Sequence, residues 1–176
     1  MIELPDPPLV WPPPAQLGSE PRRYPRPSDP SSHGLVLRLR PWRLEDAAAL
    51  VAAWADPAIQ RWTGVPERRN QAAAERWIAG DERRRSRELS LDLVVERDRE
   101  VAGEVGLSSF DSAAGTAEIG WWTAPTHRRA GVASAAATLV VAWARAELGL
   151  TCIARCHAAN PGSGAVAERA GAMVLL

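Results

Sequence analysis

The stretch from Thr116 to Leu148 constrains this chain most. A strand, Thr116 to Thr123, passes through a short loop into an amphipathic helix, Gly131 to Leu148. The helix carries its apolar stripe at Val132, Ala136, Leu139, Val140 and Trp143, and Gly149 is its natural stop. The loop between them reads Ala124-Pro125-Thr126-His127-Arg128-Arg129-Ala130-Gly131-Val132-Ala133-Ser134. It sits at a helix N-terminus, where four backbone N–H groups lack partners and the dipole is positive. Anions bind at such places. Gly131 lets backbone approach a phosphate closely, Ala133 is small, and the arginines add charge.

The rest of the chain supplies a mixed α/β set. Leu35 to Arg40 alternates as a strand ended by Pro41. Residues 44–55 read as a helix stopped before Pro57, and Asn70 caps a second helix running to about Arg87. Leu89 to Glu96 and Val101 to Ser109 are strands joined by a polar turn, Arg97 to Glu100. Leu150 to His157 is a further strand. Asn160 and Pro161 then open a last helix, closed by Gly171. The order is β, α, α, β, β, β, α, β, α, which predicts a central mixed sheet flanked by helices.

Residues 1–34 stand apart. They hold ten of the 15 prolines, including Pro12-Pro13-Pro14, and are expected to be an extended or disordered tail preceding a domain over 35–176. Such a tail serves as a docking segment or as a dispensable extension.

Composition removes several classes. With 21 basic and 21 acidic residues, no net field draws in nucleic acid. All the basic residues are Arg. No apolar run is long enough to span a membrane, and no positive segment followed by an apolar run marks a signal peptide. Cys152 and Cys156 lie about 13 Å apart in a strand, too far for a disulfide. They and His33, His127 and His157 show no metal-ligand spacing. The expectation is a cytoplasmic, metal-free protein. No G-x-G-x-x-G follows a strand, which argues against a dinucleotide-binding enzyme.

Arg128-x-x-Gly131-x-Ala133 resembles the (Gln/Arg)-x-x-Gly-x-(Gly/Ala) motif of GNAT acetyltransferases. Ala117-Glu118-Ile119-Gly120-Trp121-Trp122 with Pro125 is similar to the preceding strand of the branch that acetylates ribosomal-protein N-termini, the Rim type. Asn160-x-x-Ser163 and Glu168-Arg169-Ala170-Gly171 resemble that branch's last helix, and Leu37-Arg38 with Glu45-Asp46-Ala47 resemble its start. The likeness covers residues 35–176. It implies the GNAT fold, acetyl-CoA as co-substrate without a metal, and transfer of acetyl to a primary amine by direct attack. The amine is a protein N-terminus or a small molecule.

The resemblance also implies roles. Acetyl-CoA would lie where the parallel strands 116–123 and 150–157 splay apart. Trp122 and Thr123 would hold the pantetheine arm. Arg128, Arg129, Ala130, Gly131, Val132, Ala133 and Ser134 would surround the pyrophosphate. Asn160 would touch the cofactor's far side. Glu118 is the first candidate for the base and Glu104 the second. The tyrosine that many relatives use as acid is replaced by Gly164, so Ser163 takes that expectation. Cys152 and Cys156 are read as strand core. Trp54, Trp62 and Trp77 either line an acceptor pocket or pack the core.

One departure concerns the acceptor side. Relatives carry Phe after the last helix's glycine and then a strand pair that covers the acceptor site. Here Ala172 replaces the Phe and only one short strand fits before Leu176. The expectation is a truncated strand region whose apolar Met173 to Leu176 favour pairing with a second copy. The alternative functions are an inactive acyl-CoA-binding sensor or scaffold, and an interaction module working through the tail.

Overall fold

The computed structural model describes residues 2–5, 10–11 and 35–175. Its strands are β1 (Val10–Trp11), β2 (Leu37–Pro41), β3 (Ser90–Arg97), β4 (Glu100–Asp111), β5 (Thr116–Thr123), β6 (Thr151–Arg155) and β7 (Met173–Leu175). Its helices are α1 (Ala47–Ala55), α2 (Pro57–Trp62), α3 (Gln71–Ala79), α4 (Asp81–Ser86), α5 (Val132–Glu147) and α6 (Pro161–Ala170). The strands form one sheet in sequence order. Neighbours from β1 to β5 are antiparallel, and β5–β6 and β6–β7 are parallel. This is the expected mixed sheet flanked by helices.

Each face of the sheet buries its own core. On one face, Leu37, Leu39, Leu91, Leu93, Val105, Leu107 and Ile119 meet Val132, Ala136, Leu139, Val140 and Trp143 of α5. These are the helix positions that the apolar stripe picks out. Cys152 and Cys156 are buried in the same core. Burial pushes the Cys152 thiol up to about 11, so it stays neutral at physiological pH.

The opposite face is a tryptophan cluster under α1 to α3, in which Trp42, Trp54 and Trp122 are buried with Leu50, Ile59 and Ile78. Trp77 meets Trp42 edge-on at 5.8 Å and Trp54 at 6.4 Å. Edge-to-face pairs of this kind add to the burial term. Trp54 and Trp77 are therefore core residues, and Trp62 is not.

A buried ion pair fixes the entry to α1. Arg40 donates to both carboxylate oxygens of Asp46, at 2.7 and 2.9 Å, and to Glu96. Asp46 also accepts the Arg43 backbone N–H at 2.9 Å. Burial pushes the Asp46 carboxyl up, but the Arg40 and Arg43 bonds outweigh it and hold it below the ordinary range.

Several elements differ from expectation. The predicted 70–87 helix is two helices that meet at Gly80. The first helix stops before Pro57 as expected, but the loop expected after it holds α2, which Pro57 starts, with Asp56 as cap accepting from Ile59 N at 2.9 Å. Proline at the first helical position loses no bond it could have made. The 44–55 helix begins as a 3-10 turn, Leu44–Asp46. The hairpin turn tightens to Asp98 and Arg99, both at positive φ.

Described residues of the N-terminal segment touch the domain. β1 pairs with β2, and buried Ile2 joins the α5-side core, with its N–H on Arg85 O at 3.3 Å. The expectation for the rest of residues 1–34 lies outside the described residues.

Candidate active site

β5 and β6 pair over only three registers, Thr116↔Thr151, Ala117↔Cys152 and Glu118↔Ile153. β6 then turns its pairing to β7, through Ile153↔Met173, Ala154↔Val174 and Arg155↔Leu175. From Ile119 onward the β6-side edge of β5 is open. The sheet thus parts into a V directly below the N-terminus of α5.

A cleft of about 680 Å³ fills the V. That lies within the range of small-molecule sites, roughly 300–1,000 Å³. Its walls come from four places: the α2 residues Ala58, Ile59 and Trp62 with Thr63, the β5 residues Trp121 to Thr123, the loop into α5, and α6. Among the described residues, the charged side chains lining it are Arg128, Arg129 and Arg169, with His127 beside them, and none is a carboxylate. The cleft is built for an anion.

The loop has a special backbone. Arg129 has φ +62° and Gly131 φ +77°, so the chain turns through the left-handed region twice before α5. A Cβ on Gly131 would meet only Leu35 Cδ2, at 3.7 Å, so conformation rather than space demands glycine there. Arg128 donates to Thr123 O at 3.1 Å and to Asp56 Oδ1 at 2.7 Å. The Arg128 bond, with that of the Ile59 N–H, holds the Asp56 carboxyl below its ordinary range.

The sequence-predicted residues divide clearly. Trp122, Thr123, Arg128, Arg129, Gly131, Val132, Ala133, Ser134, Asn160 and Ser163 line the cleft. Ala130 is not among its lining residues and instead packs against the α5-side core. Asn160 caps α6, its side chain accepting from Ser163 N at 3.3 Å. The Cys156 thiol lies 3.6 Å from Ser163 Oγ, within hydrogen-bond reach. Glu118 does not line the cleft, and its carboxylate accepts a 2.5 Å bond from Arg155 Nε. Glu104, half-buried, accepts from Trp42 Nε1 at 3.0 Å and Trp122 Nε1 at 3.2 Å.

Sequence reasoning offered Trp62 as a pocket residue but missed the helix α2 that carries it, the other α2 residues of the wall, and Arg169. Trp62 lines the cleft, and its ring lies 5.4 Å from that of His157 and 4.6 Å from the Arg61 guanidinium. An Asp-Pro pair at 56–57, read as cap and first helical residue, would have revealed α2. No helix among the described residues is long and apolar enough to cross a membrane.

The fold is shared with solved acetyltransferases. Mycobacterium smegmatis RimJ, solved with CoA-disulfide, matches with a TM-score of 0.67 and 24% identity, over 76% of this chain and 68% of that one. Microcin C7 self-immunity acetyltransferase MccE, solved with acetyl-CoA and AMP, matches with 0.67 and 22%, over 77% of each chain. The ribosomal-protein-S5-alanine acetyltransferase of Vibrio fischeri matches with 0.67 and 14%, over 77% of this chain and 78% of that one. No curated protein matches significantly. The family described as Acetyltransferase (GNAT) domain matches residues 36–173, most of the chain. The chain belongs to the GNAT acetyltransferase family.

Proposed function

We propose that this protein transfers the acetyl group of acetyl-CoA to a primary amine, a protein N-terminus or a small molecule. The observation that carries the reading is the open edge of β5 beside the α5 N-terminus. An extended arm bearing amides can lie along that edge as an added strand. Its phosphates would then meet the Arg128–Ser134 loop, where unpaired N–H groups, the helix dipole and two arginines favour negative charge. Trp122 and Thr123 serve the arm and Asn160 its far side.

The reaction needs no enzyme nucleophile. A neutral amine attacks the thioester carbonyl, the C–N bond forms, and the C–S bond breaks with its electron pair on sulfur. Ser163 delivers a proton to that sulfur, and the amine nitrogen gives up its remaining extra proton in exchange. Glu118 puts negative charge on the sheet face that the amine approaches. Its carboxylate is bound to Arg155, so it meets the amine only where substrate displaces the arginine.

On this reading the protein works in the cytoplasm, where acetyl-CoA is made. A second copy pairs along the β7 edge, where Met173 and Leu175 are exposed. Thiol release from acetyl-CoA across a panel of peptides and small amines tests the activity. Light scattering tests the pairing.

A further inference from the structure

The sheet face under α1 to α4 has a row in which two of three residues are glycines, with the Asp92 carboxylate over Gly106 and open space over Gly120. Register places Asp92 of β3, Gly106 of β4 and Gly120 of β5 side by side. The row on one side is Val94, Glu104 and Trp122, and on the other Ser90, Ser108 and Glu118. Gly120 is exposed, and a Cβ built on it meets nothing within 4 Å. A bay therefore opens over Gly120, next to the point where β5 parts from β6. Trp122 belongs both to this bay and to the cleft wall.

Three carboxylates stand in or beside the row, and two are bound to cations. Asp92 accepts from Arg84 Nε at 3.1 Å and from Ser90 Oγ at 2.6 Å. Glu118 is paired with Arg155. Glu104 is held by the indoles of Trp42 and Trp122, one on each oxygen, and both are neutral. Two fixed donors orient the carboxylate without neutralising it. They also leave each oxygen a free lone pair.

We propose that Glu104 is the catalytic proton acceptor, taking a proton from the ammonium that enters the bay over Gly120. The proposal rests on the acetyltransferase reading above. The step balances: the ammonium N–H breaks, the carboxylate becomes a carboxylic acid, and the freed nitrogen lone pair is the nucleophile. After product leaves, Glu104 returns the proton to water. Its surroundings suit the task. Burial among the tryptophans, with the charge of Asp92 on β3, pushes the carboxyl up to about 8, while the two indoles and Arg84 of α4 pull it back. Glu118 of β5, one row beyond Gly106 and Gly120, is paired with Arg155, and at the β2 end of the Glu104 row Arg40 is paired with Asp46 and Glu96, so these further charges on the face are matched. A base whose conjugate acid titrates near the working pH is best placed for proton transfer.

Two measurements on the full-length protein test this. First, the indole N–H resonances of Trp42 and Trp122 are followed by NMR against pH, with and without n-butylammonium. Both should titrate with one midpoint near 8, and the amine should lower it, since a cation in the bay favours the carboxylate. Glu104→Gln should abolish the titration, and Trp42→Phe, which removes a donor to the charged form, should raise the Trp122 midpoint. A midpoint in the ordinary carboxylate range, or one that the amine does not move, overturns the proposal even if Glu104→Gln fails to fold. Second, kcat/KM for an accepted amine should fall on the order of 100-fold in Glu104→Gln, with acetyl-CoA affinity unchanged and the acidic limb near pH 8 lost. An intact limb in that variant overturns it. If the wild type binds acetyl-CoA but acetylates nothing, the acetyltransferase reading fails, and the NMR titration still decides whether an ammonium meets Glu104.

Discussion

The guanidinium of Arg128 donates to the Asp56 carboxylate at 2.7 Å, joining the loop before α5 to the cap of α2. Asp56 thus holds α2 through the Ile59 N–H and also occupies the arginine that faces the proposed phosphate. Asp56→Asn keeps an oxygen for the cap and removes the competing charge. Its affinity for acetyl-CoA at low salt should rise several-fold by calorimetry. Asp56→Ala loses the cap as well and should cost about 0.5–2 kcal/mol in stability, read from a denaturant midpoint.

Gly131 separates backbone strain from occlusion. An alanine there has room but must adopt φ +77°, at a cost of about 1–2 kcal/mol. Gly131→Ala should therefore fold with a lower melting temperature. Gly131→Glu adds bulk and negative charge at the helix start and should abolish acetyl-CoA binding. Near-normal affinity of the glutamate variant, by calorimetry, would remove the loop from the cofactor site.

How much of this was legible in the sequence varies with the range of the contact. The strand, loop and helix from Thr116 to Glu147 were readable because each signal is local: alternation, a helix stripe, a glycine before the first turn. The cleft's β5, loop and α6 residues followed from the same signals and from the resemblance they carried. The α2 wall was not, because Pro57 looks the same as a stop and as a first helical residue, and only the Asp56 cap decides. The pairing of Arg128 with Asp56, 72 positions apart, has no local signal. The same holds for the register that sets Glu104 opposite Trp122. Ile2 and β1 were hidden by the prolines around them, since composition describes the stretch and not its few apolar residues.

The buried Arg40–Asp46 pair makes a pH prediction. Because the Asp46 carboxyl sits below its ordinary range in the folded state, its stabilisation is present above the unfolded value, near 3.8. It is lost as pH falls through the lower folded value. Asp46→Asn should flatten the stability profile in that acid range. At neutral pH, Arg40→Met leaves a buried carboxylate unpaired and should cost about 3–5 kcal/mol in chemical denaturation.

Ser163 is expected to act on the leaving sulfur alone. Ser163→Ala keeps the backbone N–H that bonds Asn160, so α6 and cofactor affinity should be unchanged. Its kcat should fall on the order of 100-fold, the scale of a lost general acid. An unchanged kcat with a raised KM would make Ser163 a binding residue.

The most direct measurement is acetyl-CoA-dependent thiol release by the full-length protein over peptides with free N-termini and small primary amines. The predicted result is saturable release with at least one amine, with stoichiometric acetylated product by mass spectrometry and loss of both in Gly131→Glu. Tight binding of acetyl-CoA with no amine acetylated would contradict it and leave an acyl-CoA-binding domain without transferase activity.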